Sequence, residues 1–441
     1  MIFSSINFLI FWFFSLILHR FKFFNTIGFA GIVGIIFYSF QGMPNVAALL
    51  SVAVTCFAFC RTRKYFIFFS LLLFTPLFLF KYLKILSFFN IPVPEFMVTN
   101  FINAPVPPGL SFATFSAFAL LVVCKKFNEN VSSLNTITGY LFFFPQLIAG
   151  PIVMPSSLIP QLKKFAPVNI NNILEGVFIF SIGFALKAIF ADSIALYIDP
   201  IFSNIRNTNF QEIIIAVLLF SQQIFFDFNG YTIMAIGIAH SFNISLPENF
   251  NAPYLSTSIG DFWKRWHITL SNWIRDFIYI PLGGSRCSRI RNYINLLIAM
   301  LISGIWHGYG AAFLVWGFLH GSFIILEKIL NFNFLPKFLK ILFTYILISF
   351  LWIFFRVNNF DDLSFVFNFS NIEFLFDQKI LLIIILCLLL NYLQKFLTIK
   401  TLKSFFINTN KYILITISIF IIIFCIILSE GSTQKFIYFN F

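Results

Sequence analysis

The chain has 441 residues, of which 59% are hydrophobic and only 10% charged, with a mean hydropathy of +0.92 and a net charge of +13. A soluble domain carries about 25% charged residues, so the composition excludes an ordinary soluble protein and points to a polytopic membrane protein. The basic excess does not suit nucleic acid, because Lys and Arg sit in small clusters at the ends of apolar runs.

A membrane-spanning helix needs about 20 apolar residues. The recurring runs predict an all-α integral membrane protein with about 11 transmembrane helices, plus shorter re-entrant or interfacial segments. Residues 1–86 give four apolar runs, broken near Asn25, Pro44 and Arg61. Three basic clusters (Arg20 and Lys22; Arg61, Arg63 and Lys64; Lys125 and Lys126) are each separated by two runs, so all three fall on one side. By the positive-inside bias that side is the cytoplasm, which places the N-terminus outside. The opening run, Met1 to Leu18, lacks a basic n-region and a small-residue cleavage site, so it reads as a helix rather than a signal peptide.

Residues 87–110 form a Pro-rich loop that parity puts outside. The segment GYLFFFPQLIAGPI carries Pro145, Gly150 and Pro151, which suit a kinked or re-entrant stretch packed inside protein better than a straight helix. SQQIFFDFNGYTIMAIGIAH places Asp227 in a hydrophobic run. Lys400, Lys403 and Lys411 precede the last apolar run, Tyr412 to Leu428, which puts the C-terminus outside as well. The six cysteines are scattered without a C-x-x-C spacing, and neither metal nor disulfide is expected.

The stretch from Asp261 to Pro281 differs in kind. Trp263, Trp266, Leu270, Trp273 and Phe277 recur at spacings of three and four, one apolar stripe on an amphipathic, interfacial helix. Ser258 is placed to cap its start, and Asp261 and Arg265, one turn apart, are placed to pair. His267 lies at the edge of the stripe. Further along, SGIWHGYGAAFLVWGFLHG carries His307 between Trp306 and Gly308, and His320 before Gly321. Gly304 with Gly308, and Gly317 with Gly321, form two G-x-x-x-G pairs that let helix backbones approach closely. An ionisable side chain in an apolar span is costly and marks a site. Burial favours neutral imidazole, which is what a general base needs. The blander role for such a histidine is an interhelical hydrogen bond.

The run FWKRWHITLSNWIRDFIYIPLGG, followed by WHG at Trp306 to Gly308, resembles the membrane-bound O-acyltransferase (MBOAT) family, and within it the bacterial branch acting on alginate, peptidoglycan and teichoic acid. PPGLSFATF, FFFPQLIAGPI, FFDFNGYTIMAIG, FLHGSFIILEK, FLWIFFR and FIYFNF match in order, over roughly residues 107–441. The resemblance implies one integral membrane domain over 1–441, a bundle around a central tunnel. Within it, 1–106 supply N-terminal helices, 107–430 the core, and 431–441 an extracytoplasmic aromatic tail. It implies that His307 is catalytic, that His267 is a second signature histidine, and that acetyl-CoA is the cytoplasmic acyl donor. An exported SGNH-type partner would complete transfer to a polysaccharide, in the bacterial inner membrane. It further implies that Tyr438 in the tail carries the acyl group as an ester; the blander role of the tail is an interfacial aromatic anchor.

Trp306, Asp276 and Asp227 are candidate supporting residues. Arg286, Arg289 and Arg291, just after PLGG, are candidate contacts for the donor's phosphates or for lipid headgroups. Two alternatives stand beside the polymer-directed reading: a lipid- or protein-directed acyltransferase of the same superfamily, and a transporter or channel, which would also use intramembrane His and Asp. No histidine begins an H-x-x-x-x-D motif and no G-x-S-x-G elbow occurs, so the chemistry centres on histidine in the membrane.

Overall fold

The computed structural model describes residues 3–20, 26–88, 91–127, 133–164, 169–330, 335–357, 362–363, 366, 378–430 and 436–437. Among these the regular elements are helices: α-helices, short 3-10 turns and several π-helical stretches. By length and composition six helices can cross a membrane: Met43–Thr62, Ile170–Ser203, Phe210–Ser241, Ala311–Leu330, Lys337–Arg356 and Lys411–Ser429. A seventh is formed if the bent pair Leu381–Leu397 and Ile399–Asn408 counts as one span. Eleven spans are not reached among the described residues, because Ile6–Arg20, Ile27–Ser39 and Phe66–Tyr82 fold as shorter apolar helices.

The chain divides into two compact units. One comprises Met1–Phe184, Tyr231–Pro247 and Thr409–Ser429. Its first helices break where the sequence predicts: a helix starts at Thr26, another carries Pro44 in its first turn and ends at Arg63 in the left-handed region, and Tyr65, also left-handed, precedes the next helix, Phe66–Leu77. The Pro-rich loop is not irregular throughout. Pro94, fixed at φ −53°, starts a helical stretch that runs Glu95–Met97 and continues π-helically over Val98–Ile102. The GYLFFFPQLIAGPI stretch is broken and buried as expected: helix Leu134–Leu141 stops, and Phe144–Leu147 makes a single turn. Side-chain donors meet main-chain carbonyls there, Tyr140 Oη to Val153 O at 2.7 Å and Gln146 Nε2 to Tyr140 O at 2.8 Å. Gly34 lies directly against this break, where a Cβ would overlap the carbonyl oxygen of Phe142.

The other unit comprises Ala185–Gly230, Glu248–Asn408 and Glu430–Phe441. Its centre is a tight helical hairpin, Arg289–His307 with Ala311–Leu330. Gly304 and Gly317 make that closeness possible. A Cβ on Gly304 would collide with Phe313 O, and one on Gly317 would lie 2.5 Å from Met300 O, so each glycine seats against the partner helix's main chain.

Candidate functional site

The Asp261–Pro281 stretch does not form the single helix that its stripe predicts. Ser258 caps helix Ile259–Trp263 through its hydroxyl, which accepts from the Asp261 N–H at 2.9 Å, and Asp261 pairs with Arg265 at 2.9 Å. The chain then turns at His267, which adopts φ 41°, ψ 53°, before a second helix runs Ile268–Ile274. A side chain in this left-handed region costs about 1–3 kcal/mol and persists only where the surroundings over-determine it. Here Asn249 does so: its carbonyl accepts from Ile268 N, and its side-chain oxygen accepts from Thr269 N and Thr269 Oγ1. The helix periodicity survives the break, so Trp266, Leu270 and Trp273 remain buried, but the turn drives His267 fully inside. His267 lies outside the six spanning helices, and burial pushes its pKa down to about 3, so the imidazole is neutral at physiological pH.

His307 is the last residue of its helix and is buried. Trp306 stands beside both histidines, its ring centroid 6.0 Å from that of His267 and 4.7 Å from that of His307. Across the hairpin Trp316 meets His307 at 5.2 Å and His320 at 4.7 Å, and Phe355 closes on His307 at 5.0 Å. The three histidines are thus joined by two tryptophans in an apolar aromatic ladder. Spacing alone assigns His320 no chemistry, although GFLHG repeats the histidine–glycine pairing of WHG. It is fully buried, and its Nδ1 accepts the Trp263 indole N–H at 3.2 Å. An indole nitrogen only donates, so neutral His320 carries its proton on Nε2. That nitrogen has no hydrogen-bond partner among the described residues.

Asp227 falls in the long helix Phe210–Ser241 and is not solitary. Lys187 Nζ lies 2.8 Å from its Oδ1 and 2.5 Å from Asp192 Oδ1, all three side chains being at most 10% exposed. Lys187 and Asp192 also escape the sequence-based site; a lysine inside FSIGFALKAIFADS is the signal that could have found them. Asp227 Oδ2 accepts the main-chain N–H of Ile437 at 2.7 Å. Phe228 meets both Phe436, at 5.9 Å, and His267, at 4.7 Å. The segment just before Tyr438 therefore lies beside the His267 turn, while Tyr438 itself is outside the described residues.

Asp276 pairs with the adjacent Arg275 at 2.8 Å in a half-exposed π-helical turn, so its charge is taken up by its own neighbour. A cavity of about 640 Å³ is lined by Asp261, Trp263, Lys264, Arg275, Ser303 and Lys328, among others. Ser303 is one turn before His307, and Trp263 is the residue that donates to His320. A smaller polar cavity of about 390 Å³ shares Lys328 and adds Arg289, Ser285 and Asn292. Of the three arginines, only Arg289 lines one of these cavities; Arg286 and Arg291 are exposed and line neither. No group of three or more His, Cys, Asp or Glu side chains suited to a metal ion occurs among the described residues.

A many-helix membrane protein with buried histidines in apolar surroundings is the class that this fold and site define. Residues 35–360 match the family model "MBOAT, membrane-bound O-acyltransferase family", and the chain belongs to that family. It is 38% identical over 322 residues to the peptidoglycan O-acetyltransferase of Helicobacter pylori, covering 63% of this chain and 61% of that protein. It is 36% identical over 258 residues to the probable alginate O-acetylase AlgI of Pseudomonas aeruginosa, covering 58% of this chain and 49% of that one. The teichoic acid D-alanyltransferase of Bacillus subtilis is 29% identical over 255 residues, covering 56% of this chain and 63% of that protein. The chain thus spans about half to three-fifths of the length of these relatives.

Proposed function

We propose that the chain is a membrane O-acetyltransferase that takes an acetyl group from cytoplasmic acetyl-CoA toward hydroxyls of an extracytoplasmic polysaccharide, alginate-like or peptidoglycan. The observation that carries this reading is the aromatic ladder joining His267, Trp306 and His307, with Phe436 packed against Phe228, which itself meets His267. The names of the relatives support the acetyl group and the two polymer classes.

In this reading His307 removes the proton from the attacking hydroxyl as its oxygen bonds to the thioester carbonyl carbon. The carbon–sulfur bond breaks, and the proton passes to the departing thiolate. His267, held neutral, orients the reacting group or donates to the developing oxyanion. Tyr438 is the first acceptor: its phenol becomes an acetyl ester, from which an exported SGNH-type partner transfers the group to the polymer. The donor's thioester arm occupies the cavity between Trp263 and Ser303, and its phosphates meet Lys328 and Arg289 at the polar end. The enzyme sits in the inner membrane, with both termini outside, as the basic clusters favour.

Measuring alkali-labile acetyl esters on envelope polysaccharides tests this. Cells with the native chain are compared with cells making His307→Ala at equal abundance. Loss of one ester pool is expected and names the polymer; an unchanged envelope would redirect the assignment to lipid or protein acceptors.

A further inference from the structure

We propose that Asp227, with Lys187 behind it, is a catch that grips the main chain at Ile437 and so positions residue 438 for reaction. The proposal rests on the reading of Tyr438 as acceptor, but the observations behind it concern residues 187, 192, 227, 228, 436 and 437.

Burying charge in an apolar helix is expensive, and a buried pair is weak evidence of stabilisation by itself. Here the charges do not balance: two carboxylates surround one ammonium, leaving a net −1 from +1 and −2. Asp192, at 2.5 Å, is enough to pair Lys187. Asp227 is the surplus acceptor, and its second oxygen receives the Ile437 N–H in a charge-assisted bond of 2.7 Å. Lys187 reaches both carboxylates from a π-helical stretch, Leu186–Ala191, an irregularity that tends to mark functional positions.

The match between the two segments is paired residue for residue. Asp227 holds Ile437, and its neighbour Phe228 packs on Phe436 and also touches His267. In sequence, Ile437 directly precedes the residue proposed as acceptor. The grip is on a main-chain N–H, so it sets position without depending on the side chain at 437. Asp227 acts through the segment rather than on the reacting atoms, which makes it a positioning residue.

The test uses the full chain in membranes, with its native cysteines replaced and a nitroxide attached at Ser432→Cys. The label is expected to be restrained in the native background. It should become mobile in Asp227→Ala, with kcat for polymer acetylation falling about tenfold and the donor KM unchanged. Ile437→Pro removes the donor while leaving the charged triad whole, and should free the label in the same way if the alanine variant fails to insert. A label equally restrained in native, Asp227→Ala and Ile437→Pro proteins overturns the catch. Tyr438→Phe separates the two ideas: continued acetylation there would sink the acceptor reading, yet label mobility would still depend on Asp227.

Discussion

The indole N–H of Trp263 donates to Nδ1 of His320 across 3.2 Å, linking the short helix that precedes the His267 turn to the second arm of the glycine hairpin. Both rings also touch Trp316, at 5.6 and 4.7 Å. Trp263→Phe keeps an aromatic ring but leaves a buried acceptor unmet, a loss of about 1–3 kcal/mol. A lowered denaturation midpoint in detergent is expected, together with a changed ¹⁵N shift pattern for His320, because nothing then fixes its tautomer. An unaltered pattern would show that the Trp263 bond does not set it.

The hairpin makes a sharper prediction. At Gly304 an added Cβ collides with Phe313 O, whereas at Gly310 the nearest atom is 3.8 Å away. Gly304→Ala should spread the two helices, destabilise the protein by about 1–3 kcal/mol, and pull His307 off Trp316. Gly310→Ala should leave stability and acetylation near native. Equal tolerance of both substitutions, by melting and ester content, would contradict close main-chain contact at Gly304.

Acid should weaken the fold through His267. Its pKa in the folded protein is lowered to about 3, while an unfolded histidine titrates near 6.5. Between those values the unfolded chain binds a proton that the folded one does not, so stability is fully present above about 6.5 and is lost as pH falls toward 3. The slope approaches about 1.4 kcal/mol per pH unit. His267→Asn, whose side chain tolerates the left-handed turn, should flatten this acid dependence. The check is the difference in denaturation midpoint between about pH 6.5 and pH 5, native against variant.

Lys328 borders both cavities, and Arg289 lines the polar one. Lys328→Gln and Arg289→Gln are each expected to raise the apparent KM for acetyl-CoA about threefold to tenfold at unchanged kcat. Arg286→Gln and Arg291→Gln, which alter neither cavity, should not. Steady-state kinetics in membrane vesicles at fixed ionic strength reads the contrast, and a uniform effect of all four would favour a headgroup role.

Local signals in the sequence are reliable where one residue type has one physical outcome. Ser258 caps, Asp261 pairs with Arg265, Pro145 falls at a helix break, and Gly304 seats a helix, because each depends on neighbours within a turn or on absent bulk. The turn at His267 is illegible, since the stripe of Trp263, Trp266, Leu270 and Trp273 continues through it in phase. What holds the break is Asn249, which belongs to the loop ahead of helix Ile259–Trp263. The same holds for Asp227. Its place in an apolar run is visible, but its partners are Lys187, on an earlier helix, and Ile437, near the end of the chain. Only tertiary structure brings them together. Asp276, equally visible, pairs with its own neighbour.

The hairpin that carries His307 is closed by main chain against main chain at Gly304 and Gly317. Side-chain packing can breathe by rotamer hops, but a contact between backbones has no such freedom. The main chain that carries His307 is a post without slack, so the place from which its imidazole reaches is settled once, when the chain folds. In the proposed reaction no helix movement then has to precede each turnover, and the remaining freedom belongs to side chains and to the groups brought to them.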